Sequence, residues 1–430
     1  MSIGYILLFF LAAAALQVPV AFALIFAAGA FLAIDGMFPT SVIASRMAPG
    51  LESFPFLALP LFVFVGAILS QGGIARRIFD FANSLVGHFR GGLGHVNVLA
   101  SMIFAGMSGV AQADAAGLGR IEIQEMRRAG YAANFAAAIT AASAVIGPII
   151  PPSVIMVVYA VLAEVPLSDL FLAGILPGLL MGGALMATIA VMAARGKIDV
   201  ALQPRVAWSG RGRAFLRALP ALAAPVFLIG GLLSGVATPT ELGALTALYA
   251  VILGFVQGEL TLARLWRCGV ETVVTTGVLA FLIAAASPFL WTLAMHDMSG
   301  WFARTVAGIA ADPVALLLLI NVALLIAGAL LETTVVLLIV VPVLAPVMLL
   351  AGLNPIHAAM VIIVNLLIGA LTPPFGVLLF VMMDITKSSL NAMVRAVLPF
   401  YIPLVIVLLL LTFIPAISTF VPRQFGTGLW

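Results

Sequence analysis

The chain has 430 residues, of which 64% are hydrophobic and only 35 are charged, 19 basic and 16 acidic. Soluble domains keep their surface in water with roughly 25% charged residues, so a chain at 8% cannot solvate itself as a compact globule. Its charge-free runs cover residues 1–34, 53–75, 91–113, 129–163, 170–194, 218–240, 272–296, 333–383 and 396–422. A membrane-spanning helix takes about 20 apolar residues, and most of these runs are long enough. The alternating ten-residue strands of a membrane β-barrel are missing. Composition therefore points to a polytopic, all-α membrane protein.

In chain order, residues 1–34 begin Met1-Ser2-Ile3 without a basic leader and read as a first span, not a cleaved signal. The segment Ile74–His88 sets Arg76, Arg77 and Asp80 against Phe79, Phe81 and Leu85, the pattern of an interfacial amphipathic helix. Residues 93–118 are flanked by Arg90 and Arg120. Positive flanks mark the cytoplasm, so both ends lie on one side and the segment is a re-entrant hairpin. Its tip falls at Met107-Ser108-Gly109, where small residues allow a tight turn. Residues 131–160 then leave the cytoplasm at Arg127 and Arg128, reach an outer loop with Glu164, Pro166 and Asp169, and 170–194 return. A basic connection follows, with Arg195, Lys197, Arg205, Arg211, Arg213 and Arg217 opposed only by Asp199.

Residues 218–235 cross outward to Thr238-Pro239-Thr240-Glu241, 242–257 return to Arg264 and Arg267, and 270–296 cross out again. The apolar stretch 314–350 is interrupted by Glu332-Thr333-Thr334 and flanked by Asp312 and Asn354, with no basic residue near. It is a second hairpin, entering from the opposite face. Residues 356–383 return to Asp384, Lys387 and Arg395, and 397–421 end outside. Phe302–Ala311 would be a second interfacial arm, and Trp291, Trp301 and Trp430 interfacial anchors.

The two halves, 1–194 and 218–430 around the cytoplasmic linker 195–217, thus hold the same elements in opposite orientation. Gly72-Gly73-Ile74-Ala75-Arg76 and Gly300-Trp301-Phe302-Ala303-Arg304 precede the hairpins at an offset of 228, and Pro151-Pro152 and Pro373-Pro374 follow them at an offset of 222. Inverted repeats with discontinuous helices mark secondary transporters.

The chemistry concentrates in Gly147-Pro148-Ile149-Ile150-Pro151-Pro152-Ser153 and in Gly369-Ala370-Leu371-Thr372-Pro373-Pro374-Phe375-Gly376. Proline in a helix interior removes a donor and clashes with the preceding turn, at about 3 kcal/mol or more, so both helices must unwind. Freed carbonyls at membrane depth are tolerated only against protein or a wet cavity. Carbonyls with a hydroxyl are hard oxygen ligands for a small cation. Gly147, Ile150 and Pro152, with Ser108 from the adjacent tip, are expected to form one Na⁺ site. Gly328, Gly369, Thr372 and Phe375 would form its symmetry mate. Pro151, Ser153, Thr333, Thr334, Pro373 and Pro374 are the substrate-proximal candidates. Asp114 and Glu332, near the two tips, are either titratable coupling groups or hydrogen-bonded carboxylates that fix the hairpins. No Lys or Arg occupies the expected midplane, so an anionic substrate would be held by bound cations and by the positive N-termini of broken helices.

Other functions lack support in the residues. His88, His95, His296 and His357 are scattered, and the single Cys268 excludes a disulfide framework or thiolate cluster. No basic run with interleaved aromatics suggests nucleic acid. Neither Gly-x-Ser-x-Gly nor His-Glu-x-x-His is present, which argues against an intramembrane enzyme. A purely structural scaffold would have no use for two costly helix breaks.

Across essentially its whole length the chain resembles the large membrane subunit of TRAP (tripartite ATP-independent periplasmic) transporters. The stretches that carry the resemblance are Ser108-Gly109 with Asp114, Gly130-Tyr131, Gly147 through Ser153, Thr238-Pro239-Thr240-Glu241, Asn354-Pro355-Ile356-His357 and Asn365 through Gly376. The resemblance implies an elevator transporter of the ion-transporter superfamily in a bacterial inner membrane. It further implies two Na⁺ sites, a small four-helix membrane subunit and a periplasmic binding protein that delivers a small organic acid, such as a C4-dicarboxylate or sialic acid. In that family the first tip often reads Ser-Gly-Ser, whereas here Val110 follows Ser108-Gly109 and the second hydroxyl is lost. The alternative within transport is a stand-alone Na⁺/dicarboxylate symporter of the same superfamily.

Overall fold

The structure, a computed structural model, describes residues 4–36, 38–70, 72–198, 200–297, 300 and 313–428. The second interfacial arm, Trp301 and Trp430 lie outside the described residues, as does most of the Gly300–Arg304 landmark. The described chain is helical throughout its regular structure.

The N-terminal run is not one span. It divides into α1 (Gly4–Ala15) and α2 (Val20–Asp35), which pack against each other. The chain turns at Gln17, with φ 62°, and Pro19 cannot continue the preceding helix. Hydropathy alone registers no break there, because both helices are apolar. After the short α3 (Val42–Met47), α4 (Ala58–Leu69) turns through 73° into α5 (Gly72–Val86). Helix α5 buries Ile74, Ile78, Phe79 and Ala82 and leaves Arg76 and Asp80 exposed, as its amphipathic pattern demands.

Hairpin one consists of α6 (Gly92–Ser108), α7 (Ala111–Ala116) and α8 (Leu118–Arg128). Its return limb is about a turn and a half of helix carrying Asp114, followed by an amphipathic extension, so the hairpin outlasts the 93–118 window. Arg120 marks the edge of the apolar stretch, not the end of the helix. Gly109 turns the tip at φ 66°, with the Pro152 carbonyl where a Cβ would sit. Only glycine meets both demands.

The next span is broken into α9 (Ala133–Ala144) and α10 (Val154–Ala163), and α11 (Leu167–Ala194) follows. At 12 and 10 residues, neither piece can cross a core of about 30 Å alone. Half of the basic connection proves helical, since α12 begins at Trp208 and runs to Ser234. Then come α13 (Pro239–Val256), entered through a capping box between Thr238 and Glu241, and the 34-residue α14 (Leu262–Met295).

Hairpin two is α15 (Pro313–Leu330) and α16 (Thr333–Leu350), and the second broken span is α17 (Pro355–Gly369) with α18 (Val377–Thr386). Helices α19 (Leu390–Phe413) and α20 (Ala416–Phe425) close the described chain. The second limbs of the hairpins start 222 residues apart, at Ala111 and Thr333, and so do the broken spans, at Ala133 and Pro355. The same architecture is therefore built twice.

The repeats interlock. Helix α10 packs on hairpin two through α16, and its counterpart α18 packs on hairpin one through α7. Helices α9, α10 and α17 are buried almost all round, which explains their lack of a polar face. A second group, α2, α4, α12 and α13, gathers around α14 and α5. Six described helices (α11, α12, α13, α14, α16 and α19) are singly long and apolar enough to cross a membrane. The molecule is an all-α polytopic membrane protein built as an inverted repeat, each half with a re-entrant hairpin and a broken span.

Candidate functional site

Each break lies against the tip of its own hairpin. The Val154 N–H donates to the Gly109 carbonyl at 3.3 Å, and the Phe375 N–H donates to the Ala329 carbonyl at 3.1 Å. Both diproline bonds, Pro151–Pro152 and Pro373–Pro374, are cis.

In break one, the carbonyls of Gly147, Ile149, Ile150, Pro151 and Pro152 accept no hydrogen bond from the described residues. The three carbonyls expected from the sequence, those of Gly147, Ile150 and Pro152, are among them. Break one is sealed, with residues 141–153 all buried. The Ser108 hydroxyl does not face the break directly: it donates to Asp114 Oδ1. The other oxygen, Asp114 Oδ2, is buried without a hydrogen-bond partner. It stands over Gly147, leaving no room for a Cβ. A buried carboxylate oxygen costs several kcal/mol unless a cation or proton meets it. A carboxylate oxygen over Gly147, in a break with freed carbonyls, is the donor chemistry of a small hard cation. Asp114 is thus joined to Ser108 and turned onto the break, a placement that sequence reasoning had left undecided. The six-residue spacing from Ser108 held the signal, because the tip folds both residues back onto the break.

Break two is built on glycine contact. A Cβ on Gly369 would lie 2.8 Å from the Gly328 Cα, so hairpin two and α17 touch backbone to backbone. The carbonyls of Gly328, Thr372 and Phe375 accept no hydrogen bond from the described residues, whereas that of Gly369 takes the Thr372 N–H at 2.8 Å. The Thr372 hydroxyl donates to the Ile368 carbonyl at 2.9 Å and lies 3.3 Å from the Tyr401 hydroxyl. Its lone pairs remain available. The Phe375 ring is 57% exposed, so only the backbone of that residue turns toward the break. Glu332 differs from Asp114: Oε2 caps α16 by accepting the Thr334 and Val335 N–H groups at 2.9 and 3.2 Å, and Oε1 accepts the Thr334 hydroxyl at 3.0 Å. It fixes the tip and offers little to an ion.

Both tips border one cleft of 380 Å³, between Gly109, Val110 and Pro148 of the first repeat, Thr333 and Thr334 of the second, and α14 at Thr275 and Val278. Thr333 and Thr334 therefore line this cleft. Ser153 does not; its hydroxyl donates to the Pro148 carbonyl and accepts the Met156 N–H at 3.1 Å, capping α10. Pro151 is buried within break one, and Pro373 and Pro374 are exposed away from this lining. A second cleft of 380 Å³ meets the first at Val110 and Thr275 and carries Arg120 and Glu271. The α14 wall was missed from the sequence because its apolar residues read as ordinary span.

Comparison with known proteins fits this geometry. Residues 7–417 match the family model described as "Tripartite ATP-independent periplasmic transporter, DctM component". The chain is 42% identical to the sialic acid TRAP transporter large permease protein SiaM of Vibrio cholerae, over 95% of each chain. It is 38% identical to the C4-dicarboxylate TRAP transporter large permease protein DctM of Pseudomonas aeruginosa, over 90% of this chain and 91% of that one. A crystal structure of the Alcanivorax borkumensis YdaH transporter superposes with a TM-score of 0.65 at 15% identity, covering 87% of this chain and 88% of that one, and so shares its fold. With the hairpins, the paired breaks and relatives at this identity over nearly the whole length, the chain belongs to the DctM family, the large permease component of TRAP transporters.

Proposed function

We propose that the chain takes up a small organic acid, coupled to Na⁺ and delivered by a periplasmic binding protein, with a small four-helix membrane subunit at its side in the inner membrane. One observation carries this reading: two helix breaks each present unpaired carbonyls beside a hairpin tip, and both tips border the same cleft. Na⁺ is cargo here. Gly147, Ile150, Pro152 and the Ser108–Asp114 pair would hold one ion, and Gly328, Gly369, Thr372 and Phe375 a second. The acid would lie in the cleft between the tips, against Thr333 and Thr334, its charge offset by the ions and not by a side-chain cation. The named relatives serve sialic acid and a C4-dicarboxylate. Both cargoes are organic acids of unlike shape, which fits selectivity residing largely in the binding protein.

Transport would proceed by an elevator movement of the hairpins and broken spans past α14. Ions and acid sit inside that body, so access changes when the body shifts between two packed states. The test is reconstitution in proteoliposomes with the small subunit and binding protein, offering N-acetylneuraminate and succinate as probes. Uptake should require all three components and an inward Na⁺ gradient. Uptake by this chain alone would favour the stand-alone symporter, and uptake indifferent to Na⁺ would remove the coupling. A disulfide between Val110→Cys and Thr275→Cys, in a Cys268→Ala background, should stop uptake reversibly. Full activity after complete oxidation would rule out movement of the tip past α14.

A further inference from the structure

Glu122 is 1% exposed, inside the helical body that holds the first ion site. Its Oε2 accepts the Asn97 amide N–H at 2.8 Å. Asn97 also donates to the Thr140 hydroxyl at 2.7 Å and accepts from Ser143 at 2.8 Å, and Ser101 donates to Ser143 at 2.9 Å. Five polar side chains from α6, α8 and α9 thus converge in an otherwise apolar interior. One atom stands out: among the described residues, Glu122 Oε1 is buried with no hydrogen-bond partner, and the Ser101 hydroxyl beside it donates to Ser143.

No cation among the described residues answers this carboxylate. Among the charged groups on helices packed against α8, Asp114 on α7 has the same sign, and Arg76 on α5 lies at the surface bound to Glu125 and Asp80. Arg77 on α5 is taken by Glu259, His95 on α6 has its own place against Phe89, and α9 has no titratable residue. On α8 itself, Arg120, Arg127 and Arg128 point outward. A bare carboxylate in such a site costs several kcal/mol and must be neutralised. Na⁺ fits poorly, because it needs several oxygens at once. Among the described residues the polar group beside Oε1 is the single Ser101 hydroxyl, while the Asn97 amide N–H groups are spent on Glu122 Oε2 and Thr140. A single unfilled oxygen is filled by a single proton.

The repeat supplies a second, independent observation. At the offset of 222 residues, Glu122 corresponds to Leu344. The polar contacts of the second repeat, Asn365 to Asn321 at 2.8 Å and Asn321 to Thr412 at 2.8 Å, hold hairpin two to α17 and α19 without any acid. Joining a hairpin to its broken span therefore does not require a carboxylate. We infer that Glu122 is a proton-binding site of the moving body, taking a proton onto Oε1 from water on one side and returning it on the other, so that proton movement accompanies the Na⁺-coupled cycle. The inference rests on the transport reading above. It adds an ion that reading does not contain.

Infrared difference spectroscopy on the purified full chain in nanodiscs, titrated with acid and base, reads the carboxylic C=O band directly and requires no substrate. Wild type should lose a protonated-carboxyl band as pH rises, and Glu122→Gln, the isostere of the protonated form, should lack that band. In the reconstituted tripartite system, an acid-outside gradient at fixed Na⁺ should accelerate wild-type uptake, and Glu122→Gln should lose that acceleration. A band that persists at every pH would make Glu122 a fixed structural acid and overturn the proposal. So would an identical response to the gradient in the variant, or a band abolished by Na⁺ at constant pH, which would mark a third Na⁺ site. Na⁺-driven uptake without any proton response would defeat the proton site and leave the transport reading standing. Absence of uptake under all conditions, with the band titrating as expected, would do the reverse.

Discussion

The two repeats share a backbone plan and differ in the chemistry placed on it. Break one is sealed and has a carboxylate, Asp114, aimed at its free carbonyls. Break two opens at Pro373, Pro374 and Phe375, has no acid of its own, and leaves its nearest carboxylate, Glu332, to cap α16. Duplication supplies two cradles of unpaired carbonyls, and side chains then decide how strongly each would hold the proposed Na⁺. The first should bind Na⁺ tightly and the second more weakly, because a formal charge at a buried ion outweighs a hydroxyl dipole.

The most severe test of that ranking is Asp114→Asn. Loss of a charged partner at a buried site costs about 1.5–3 kcal/mol, so the Na⁺ concentration for half-maximal uptake should rise ~10-fold or more. Na⁺ protection against thermal unfolding should shrink with it, since a ligand stabilises only as far as it binds. A variant that keeps the wild-type Na⁺ curve would take Asp114 out of the site and level the two repeats.

Glycine substitutions separate packing from binding. Gly369→Ala puts a methyl 2.8 Å from the Gly328 Cα, and backbone cannot move aside as a side chain can. It should lower the melting temperature and the yield of folded protein. Gly147→Ala instead meets the Asp114 carboxylate, which can rotate away and abandon the ion. The expected pattern is a folded protein with impaired Na⁺ activation for Gly147→Ala, and a larger loss of fold for Gly369→Ala. The opposite order, read from thermal unfolding and Na⁺ titration, would show that break one is the structural element.

Much of this contrast was legible in the sequence, and the remainder was hidden for definable reasons. Clustered prolines after a glycine announced the breaks at Gly147 to Ser153 and Gly369 to Gly376, whereas single prolines such as Pro177, Pro288 and Pro342 sit inside continuous helices. Flanking charges announced hairpin one. Apolar composition, by contrast, cannot show where a helix turns without leaving the membrane, and so the division at Gln17–Pro19 was invisible. Nor can one-dimensional spacing show which hydroxyls are already spent. Ser153 looked substrate-proximal and is a helix cap, while the Ser108 hydroxyl is spent on Asp114. Glu122 sits on an amphipathic helix whose other charges are solvated, and only packing against Asn97 and Thr140 distinguishes it from them.

Thr372→Ala probes the weaker cradle. A neutral hydroxyl contributes about 0.5–1.5 kcal/mol, so half-maximal Na⁺ should shift ~2- to 10-fold, less than for Asp114→Asn. Because the hydroxyl also bonds the Ile368 carbonyl, Thr372→Ser is the control and should restore most of the affinity. An effect larger than that of Asp114→Asn would reverse the ranking of the two sites.

The smallest expected effect comes from the carboxylate that the second repeat spends on structure. Glu332 accepts two backbone N–H groups at the start of α16 and the Thr334 hydroxyl, so both of its oxygens are occupied. Removing such a cap costs about 1 kcal/mol, and Glu332→Ala should lower the melting temperature by a few degrees at most, given the size of the chain. The added protection that Na⁺ gives against unfolding should persist, because that difference depends on the ion sites and not on the cap. Glu332→Gln should lie between, since one amide oxygen can still accept at the helix N-terminus. Loss of Na⁺ protection in Glu332→Ala, on the scale of Asp114→Asn, would mean that both tips supply an anionic ligand, and the asymmetry between the repeats would have to be given up.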